Sequence, residues 1–395
     1  MIMTEKKAVL GIIGCGLIAQ GMHLGNAFSN PRIRVKWCCD LMDANLQYVK
    51  EHYTPENLTK DYHDIINDPE VQGVMILTTH DVRLELIAAA ARNGKHIYVE
   101  KPMATTMREA YEIMKIIRET GVELVVGFNR RCAPIMMDAK RILDEHRANP
   151  KCAPWRYLRY GDDDNQDMKE SKATMILMRV NDDFKSFKSY AMDPYIGQGA
   201  IMGELCHFVD LACNFMGCEP VKVYTEGWSR LNQSITLQFE DQSICTIFDA
   251  AVGSFDHPKE LVEIYNNGMS LQLDHFLQLR IGGIEGPTKI DYPFKEDPYP
   301  EVTEGEGSMR LINKAIERNK RNTKCDELAM PVVDKGHYGM LDKLVDCILL
   351  GAKSPCSALD GARATLVTLK AVESARLGLP VKIAIDEYDF VFKNH

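Results

Sequence analysis

Ala8-Val9-Leu10-Gly11-Ile12-Ile13-Gly14-Cys15-Gly16-Leu17-Ile18-Ala19 is the stretch whose reading decides the fold. Six mostly aliphatic residues read as a buried strand, and a helix-like segment follows the glycines to about Phe28. Gly14 permits a tight turn. Gly16 has no Cβ, so a pyrophosphate can approach the backbone, and Ala19 is small enough for helix and strand to pack closely. The free N–H groups at the helix start, around Leu17 and Ile18, would then face phosphates. A glycine pattern alone is equally an ordinary turn, so its context matters. Ile33 to Cys39 alternates like a second strand and ends on Asp40. An acid there accepts hydrogen bonds from ribose hydroxyls and repels a 2′-phosphate. No arginine immediately follows Asp40, so the expected cofactor is NAD rather than NADP.

The alternation continues along the chain. Val71 to Leu77, His96 to Val99 and Val122 to Val126 read as strands; Val82 to Ala91 and Met107 to Glu119 read as helices. Such a series implies a doubly wound parallel sheet, with ligands at the carboxyl ends of its strands. Thr78-Thr79-His80, Glu100-Lys101-Pro102 and Asn129-Arg130-Arg131 each follow a strand. All three clusters are therefore expected to rim one crevice, with Thr78, Thr79, His80, Glu100, Lys101 and Asn129 on the cofactor.

With 395 residues the chain is too long for one ordinary core. A net charge of -9 argues against a nucleic-acid partner. No apolar run is long enough to span a bilayer, and 1–7 has no signal-peptide pattern. The twelve cysteines are scattered without a CxxC pair, so neither a zinc site nor a disulfide framework is expected. These features point to a reduced, cytoplasmic protein without a metal.

Oxidising an alcohol with NAD needs a base whose pKa lies near working pH. Lys101 can serve if it is partly desolvated or near another cation; on composition alone it is equally a surface lysine before a turn. Glu204, His207 and Asp210 recur in steps of three, which places them on roughly one helix face. That stripe is either a reactive group or a satisfied core histidine between solvated acids.

Gly14 to Ala19, Glu100-Lys101-Pro102, Gly127-Phe128-Asn129-Arg130-Arg131, Gly203-Glu204-Leu205-Cys206-His207-Phe208-Val209-Asp210 and the tail Glu373 to Val381 occur in order. Together they resemble the Gfo/Idh/MocA oxidoreductases, the family of glucose–fructose oxidoreductase and inositol dehydrogenase, over nearly the whole chain. The resemblance implies a Rossmann domain followed by an α/β domain on a large, mostly antiparallel sheet. It implies Lys101 as acid/base with His207 as its partner, Glu100 and Thr78 on the cofactor, and Arg130, Arg179 and Asn181 around the sugar. Two positions depart from the family pattern. Gly203 stands where inositol dehydrogenase-like members carry an aspartate, which leaves open whether Glu204 substitutes. Arg83 stands where a histidine is common.

The expected organisation is a Rossmann domain over 1–130 and a substrate-binding and oligomerisation domain over 131–395, with the helix at about 359–377 a candidate to pack back on the first. Asp162 to Asp167 reads as a solvated acidic loop. Gly286 to Gly307, with four prolines, reads as an excursion from the sheet. An open sheet face needs a cover, so a homo-oligomer is expected. The expected activity is NAD-dependent hydride transfer at a secondary hydroxyl of a sugar, polyol or glycoside, C3 of a glucoside being one candidate. The alternatives are a glycosidase that uses NAD transiently through oxidation and elimination, and a non-catalytic dinucleotide-binding protein.

Overall fold

The computed structural model describes residues 6–150, 173–182, 199–227, 232–253, 257–302, 305, 307–321 and 331–389. The acidic run at 162–167 lies outside them. The chain divides into two compact units.

The first unit holds 1–129, 336–369 and 386–395. Its sheet has six strands: β1 (Ala8–Ile13), β2 (Ile33–Cys39), β3 (Asn57–Thr59), β4 (Gly73–Ile76), β5 (His96–Val99) and β6 (Leu124–Val126). They are ordered β3-β2-β1-β4-β5-β6, and every pairing is parallel. The strand order reverses between β1 and β4, where ligands of doubly wound sheets bind. β1 and β4 are nearly continuous apolar runs because helices cover both faces of such a sheet. After the glycine turn, a π-helical turn (Ala19–His23) leads into α1 (Leu24–Ser29). The helices α2 (Asp43–His52), α3 (Tyr62–Ile66), α4 (Arg83–Arg92) and α5 (Met107–Thr120) follow. Thr106 and Glu109 form a reciprocal capping box that starts α5, and Gly121, at φ 70°, ends it.

The second unit holds 130–335 and 370–385. Within it lie α6 (Pro134–Ala148), α7 (Cys206–Met216) and α8 (Ser308–Arg321). Its strands are β7 (Thr174–Asn181), β8 (Pro220–Gly227), β9 (Gln233–Phe239), β10 (Ile244–Ala250), β11 (Glu260–Asn266), β12 (Met269–Asp274), β13 (Gln278–Gly282), β14 (Lys289–Asp291) and β15 (Val381–Lys382). The sheet runs β14-β13-β12-β11-β7-β10-β9-β8-β15. All pairings are antiparallel except β7 with β10. α6 and α7 cover one face, lying on β12, β13 and β7. On the other face Met175, Leu177, Phe248 and Tyr265 stay exposed. The segment 286–307 departs from the expected excursion in one respect: it returns β14 to the sheet edge beside β13.

The organisation also differs from an uninterrupted second domain over 131–395. Residues 336–369 group with the first unit. There α9 (His337–Leu350) buries Met340, Leu341, Leu344 and Val345 and packs on β1, β5 and β6. Arg32 ties it down through Asp342 at 2.9 Å and Asp346 at 2.7 Å. The helix α10 (Ala358–Leu377) begins in the first unit, where the Thr365 hydroxyl donates to the Ala104 carbonyl at 3.2 Å. Its end belongs to the second unit, where Ser374 accepts the Thr225 N–H at 2.9 Å.

Gly14 closes the first turn at φ 94°, and a Cβ there would stand 2.9 Å from the Leu77 carbonyl carbon. Neither the dihedral nor the neighbouring backbone accommodates a side chain. Gly14→Ala is expected to lower unfolding stability by about 1–3 kcal/mol. Urea denaturation followed by circular dichroism measures this, and an unchanged midpoint would contradict it.

Candidate functional site

The glycine turn is held from both sides. Gly14 N–H donates to the Cys39 carbonyl at 2.8 Å. Asp40 accepts Cys15 N–H at 2.7 Å and Met42 N–H at 2.8 Å, so one carboxylate joins the turn to the end of β2. Ala19 is fully buried against the sheet. The opposite side is open: a Cβ on Gly16 would meet only the Asn45 amide, at 4.0 Å, and Leu17 is 90% exposed. A tight turn with one bare backbone edge and an acid at the neighbouring strand end fits a dinucleotide.

The clusters after β4 and β5 meet through buried side chains. His23 Nε2 lies 2.7 Å from Glu100 Oε1, and Glu100 Oε2 accepts the Lys101 N–H at 3.0 Å. Burial pushes Glu100 up, but His23, with help from Lys101 and Arg83, outweighs it and holds the carboxyl at about 2. The Lys101–Pro102 peptide is cis. Thr78 and His80 are half-buried, Thr79 is exposed, and Asn129 is buried on the turn after β6. Arg83, at the start of α4, donates to the carbonyls of Thr78, Glu100 and Pro102.

In the second unit a π-helical turn (Ile201–Leu205) carries Glu204 into α7, whose first turn holds buried His207. Arg130 grips Glu260 through two bonds, 2.9 and 2.7 Å, lies over the Phe208 ring and stands 3.6 Å from Glu204. Lys259 bridges Glu204 at 3.0 Å and Asp182 at 2.8 Å. Asp210 is taken by Arg131 through bonds of 2.8 and 2.6 Å. Glu204 and Asp210 are thus ion-pair members, not a free stripe beside His207.

Burial alone would raise Glu260, but Arg130 outweighs it and holds it at about 2. Burial pulls Lys335 below the ordinary lysine range against the attraction of Glu260. Asp249, only 2% exposed, is pushed up to about 7 by burial and by repulsion from Asp182. Among the described residues, Asp249 Oδ1 and Asp182 Oδ2 are both buried without a hydrogen-bond partner.

Of the expected sugar-site residues, the structure joins Arg130 to Glu204 but sets Arg179 elsewhere. Val180, Asp249 and Glu260 are in register on the covered face. Arg179 alternates to the open face, in register with exposed Phe248. Asn181 is buried and donates to the His257 carbonyl at 3.2 Å. Sequence reasoning missed Lys259, Glu260, Asp182, Asp249 and His23. The one local signal for any of them was an adjacent charged pair, Lys259-Glu260, entering a strand-like segment. Among the described residues no group of three His, Cys, Asp or Glu is placed to hold a metal, and no helix is long and apolar enough to cross a membrane.

Residues 9–128 match the Gfo/Idh/MocA oxidoreductases, a family with an NAD-binding Rossmann fold. An uncharacterized oxidoreductase of Bacillus subtilis, YrbE, is 25% identical over 96% of this chain and 97% of its own. The family match lies within the first unit of this chain. That unit is therefore the NAD-binding unit of an oxidoreductase. The scyllo-inositol 2-dehydrogenase (NAD(+)) of Bacillus subtilis is 29% identical over a shorter stretch, 35% of this chain and 41% of that enzyme. The fold is that of scyllo-inositol dehydrogenase from Lactobacillus casei, solved with NAD(H) and scyllo-inositol. It has a TM-score of 0.69 at 18% identity and covers 95% of this chain and 99% of that one.

The Asp249 carboxyl makes stability depend on pH. Its folded pKa, about 7, lies above the ordinary 3.8. Between those values the unfolded chain has released a proton that the folded chain keeps, so stability falls as pH rises and the full penalty is present above 7. Each unit corresponds to about 1.4 kcal/mol. Asp249→Asn is therefore expected to stabilise the protein by roughly 1–4 kcal/mol at pH 8 and by far less at pH 4. Equal effects at both pH values in thermal melts would contradict the assignment.

Proposed function

We propose that this protein is a Gfo/Idh/MocA oxidoreductase throughout and transfers hydride between NAD and a secondary hydroxyl of a sugar, polyol or glycoside. The observation that carries the reading is the Glu100-Lys101-Pro102 loop. It places a lysine after β5 of an NAD-binding sheet, with its backbone bound by a buried, ionised Glu100. Inositol dehydrogenases among the relatives support a polyhydroxy substrate.

Bound NAD supplies the hydride acceptor or donor. Gly14 and Gly16 leave its pyrophosphate a backbone edge, and Asp40 takes the adenosine ribose. Leu17, Ile18, Thr78, Thr79, His80, Glu100 and Asn129 complete the cofactor contacts. Lys101 takes the hydroxyl proton during oxidation and returns it during reduction, with His207 as its partner. Arg130 and Asn181 belong to the sugar-recognising residues. Glu204, held by Lys259 and near Arg130, orients them instead of replacing the missing aspartate. The protein works as a homo-oligomer whose subunits cover the exposed face of β7, β10 and β11.

The experiment is a mass-spectrometric screen of myo-inositol, scyllo-inositol, levoglucosan and alkyl glucosides with NAD. Net NADH with a keto product supports the dehydrogenase; aglycone release without net NADH would replace it by oxidation–elimination. Lys101→Ala should slow single-turnover hydride transfer by about 10²–10⁴ while NAD affinity changes little. Full activity in that variant would end the acid–base assignment. Calorimetry should show NAD bound more tightly than NADP, with Asp40→Ala narrowing the gap; equal binding in the wild type removes Asp40 from that role. Light scattering that finds only monomer at micromolar concentration would contradict the oligomer.

A further inference from the structure

Beyond the last residues of β4 and β5 the parallel ladder ends, and the carbonyls there need donors from elsewhere. Arg83 supplies them. Its side chain is 4% exposed at the first position of α4. Nε and Nη2 donate to the Thr78 carbonyl at 3.2 and 2.8 Å. Nη1 donates to the Glu100 carbonyl at 2.7 Å and also to that of Pro102. Those two carbonyls belong to the residues on either side of Lys101. One nitrogen therefore brackets the lysine, while the rest of the same planar group grips the end of the neighbouring strand.

No other side chain type has this capability. The guanidinium is a rigid fork of five N–H donors that stays charged. A lysine offers three donors from a single point, and a histidine has only two ring nitrogens, which point apart. A histidine has too few donors for the three carbonyls, and a lysine would have to reach all three from one point, so the peptides carrying them would shift. Proton transfer requires the acid–base group within hydrogen-bond reach of the reacting hydroxyl. The root of Lys101 must therefore be fixed against the strand ends.

We propose that Arg83 is a positioning residue for Lys101, acting through the Thr78, Glu100 and Pro102 carbonyls. The proposal rests on Lys101 as the acid–base group, so its test separates the two. The full-length protein, saturated with NAD, is labelled competitively with acetic anhydride, and each lysine is followed by peptide mass spectrometry. In Arg83→Gln the Lys101 labelling rate should change by about fivefold or more, while exposed Lys50 and Lys60 keep their wild-type rates. If Arg83→Gln unfolds, so that every lysine labels faster, Arg83→Lys is measured in the same way. Unchanged Lys101 labelling in a folded variant overturns the proposal.

With a polyol that turns over, Arg83→Gln should slow hydride transfer by about 10–10²-fold. On the Lys101→Ala background the same change should add no further loss, because both act through one group. Additive losses overturn the positioning role. A fully active Lys101→Ala overturns the acid–base reading instead, and the labelling result then judges the clamp alone.

Discussion

A parallel sheet stops hydrogen bonding at its carboxyl edge, and the first unit is organised around that constraint. The strand ends that must face a ligand are the ends that lack backbone partners. Each is closed by a different device. The Cys39 carbonyl receives the Gly14 N–H, and Asp40 receives that of Cys15. Glu100 receives the N–H of Lys101, and Arg83 donates to two carbonyls of the same loop and to that of Thr78 beyond β4. Asp40 and Glu100, the proposed cofactor contacts, are among the groups that complete the backbone.

The second unit meets a different constraint. The covered face of its sheet carries charge where β7, β10 and β11 run out, and each charge must be matched there. Arg130 with Glu260, and Lys259 with Asp182 and Glu204, form that balance. Removing one partner of such a pair costs far more than the pair is worth as a whole. The Asp182 and Asp249 oxygens are the exception, since two of them have no donor among the described residues. Burial and mutual repulsion then keep a proton on Asp249 to about neutral pH.

The legibility of the sequence followed contact range. The strand, glycine turn, helix and acid at 8–40 were readable because neighbours in sequence create them. The period-two alternation of β9, β10 and β11 is likewise local. Their order is not, because β10 pairs in parallel with β7 across more than sixty residues. The ion-pair cluster was invisible for the same reason: Arg130 meets Glu260 at a sequence separation of 130. Arg179 was placed by resemblance alone, and strand alternation, counted from buried Val180, puts it on the open face. The role of Arg83 could be noticed only as a departure from a pattern. Its three carbonyl partners lie in loops whose conformations no local rule supplies.

The chain's return to the first unit has a consequence for how the protein is made. β1 through β6 all leave the ribosome before residue 130, yet α9, which covers β1, β5 and β6, lies at 337–350. Until that helix is synthesised, the apolar surface it covers stays bare while residues 130–335 of the second unit are translated. The N-terminal unit is thus first to begin folding and among the last to finish. During synthesis this half-covered sheet is a surface for chaperones or for aggregation.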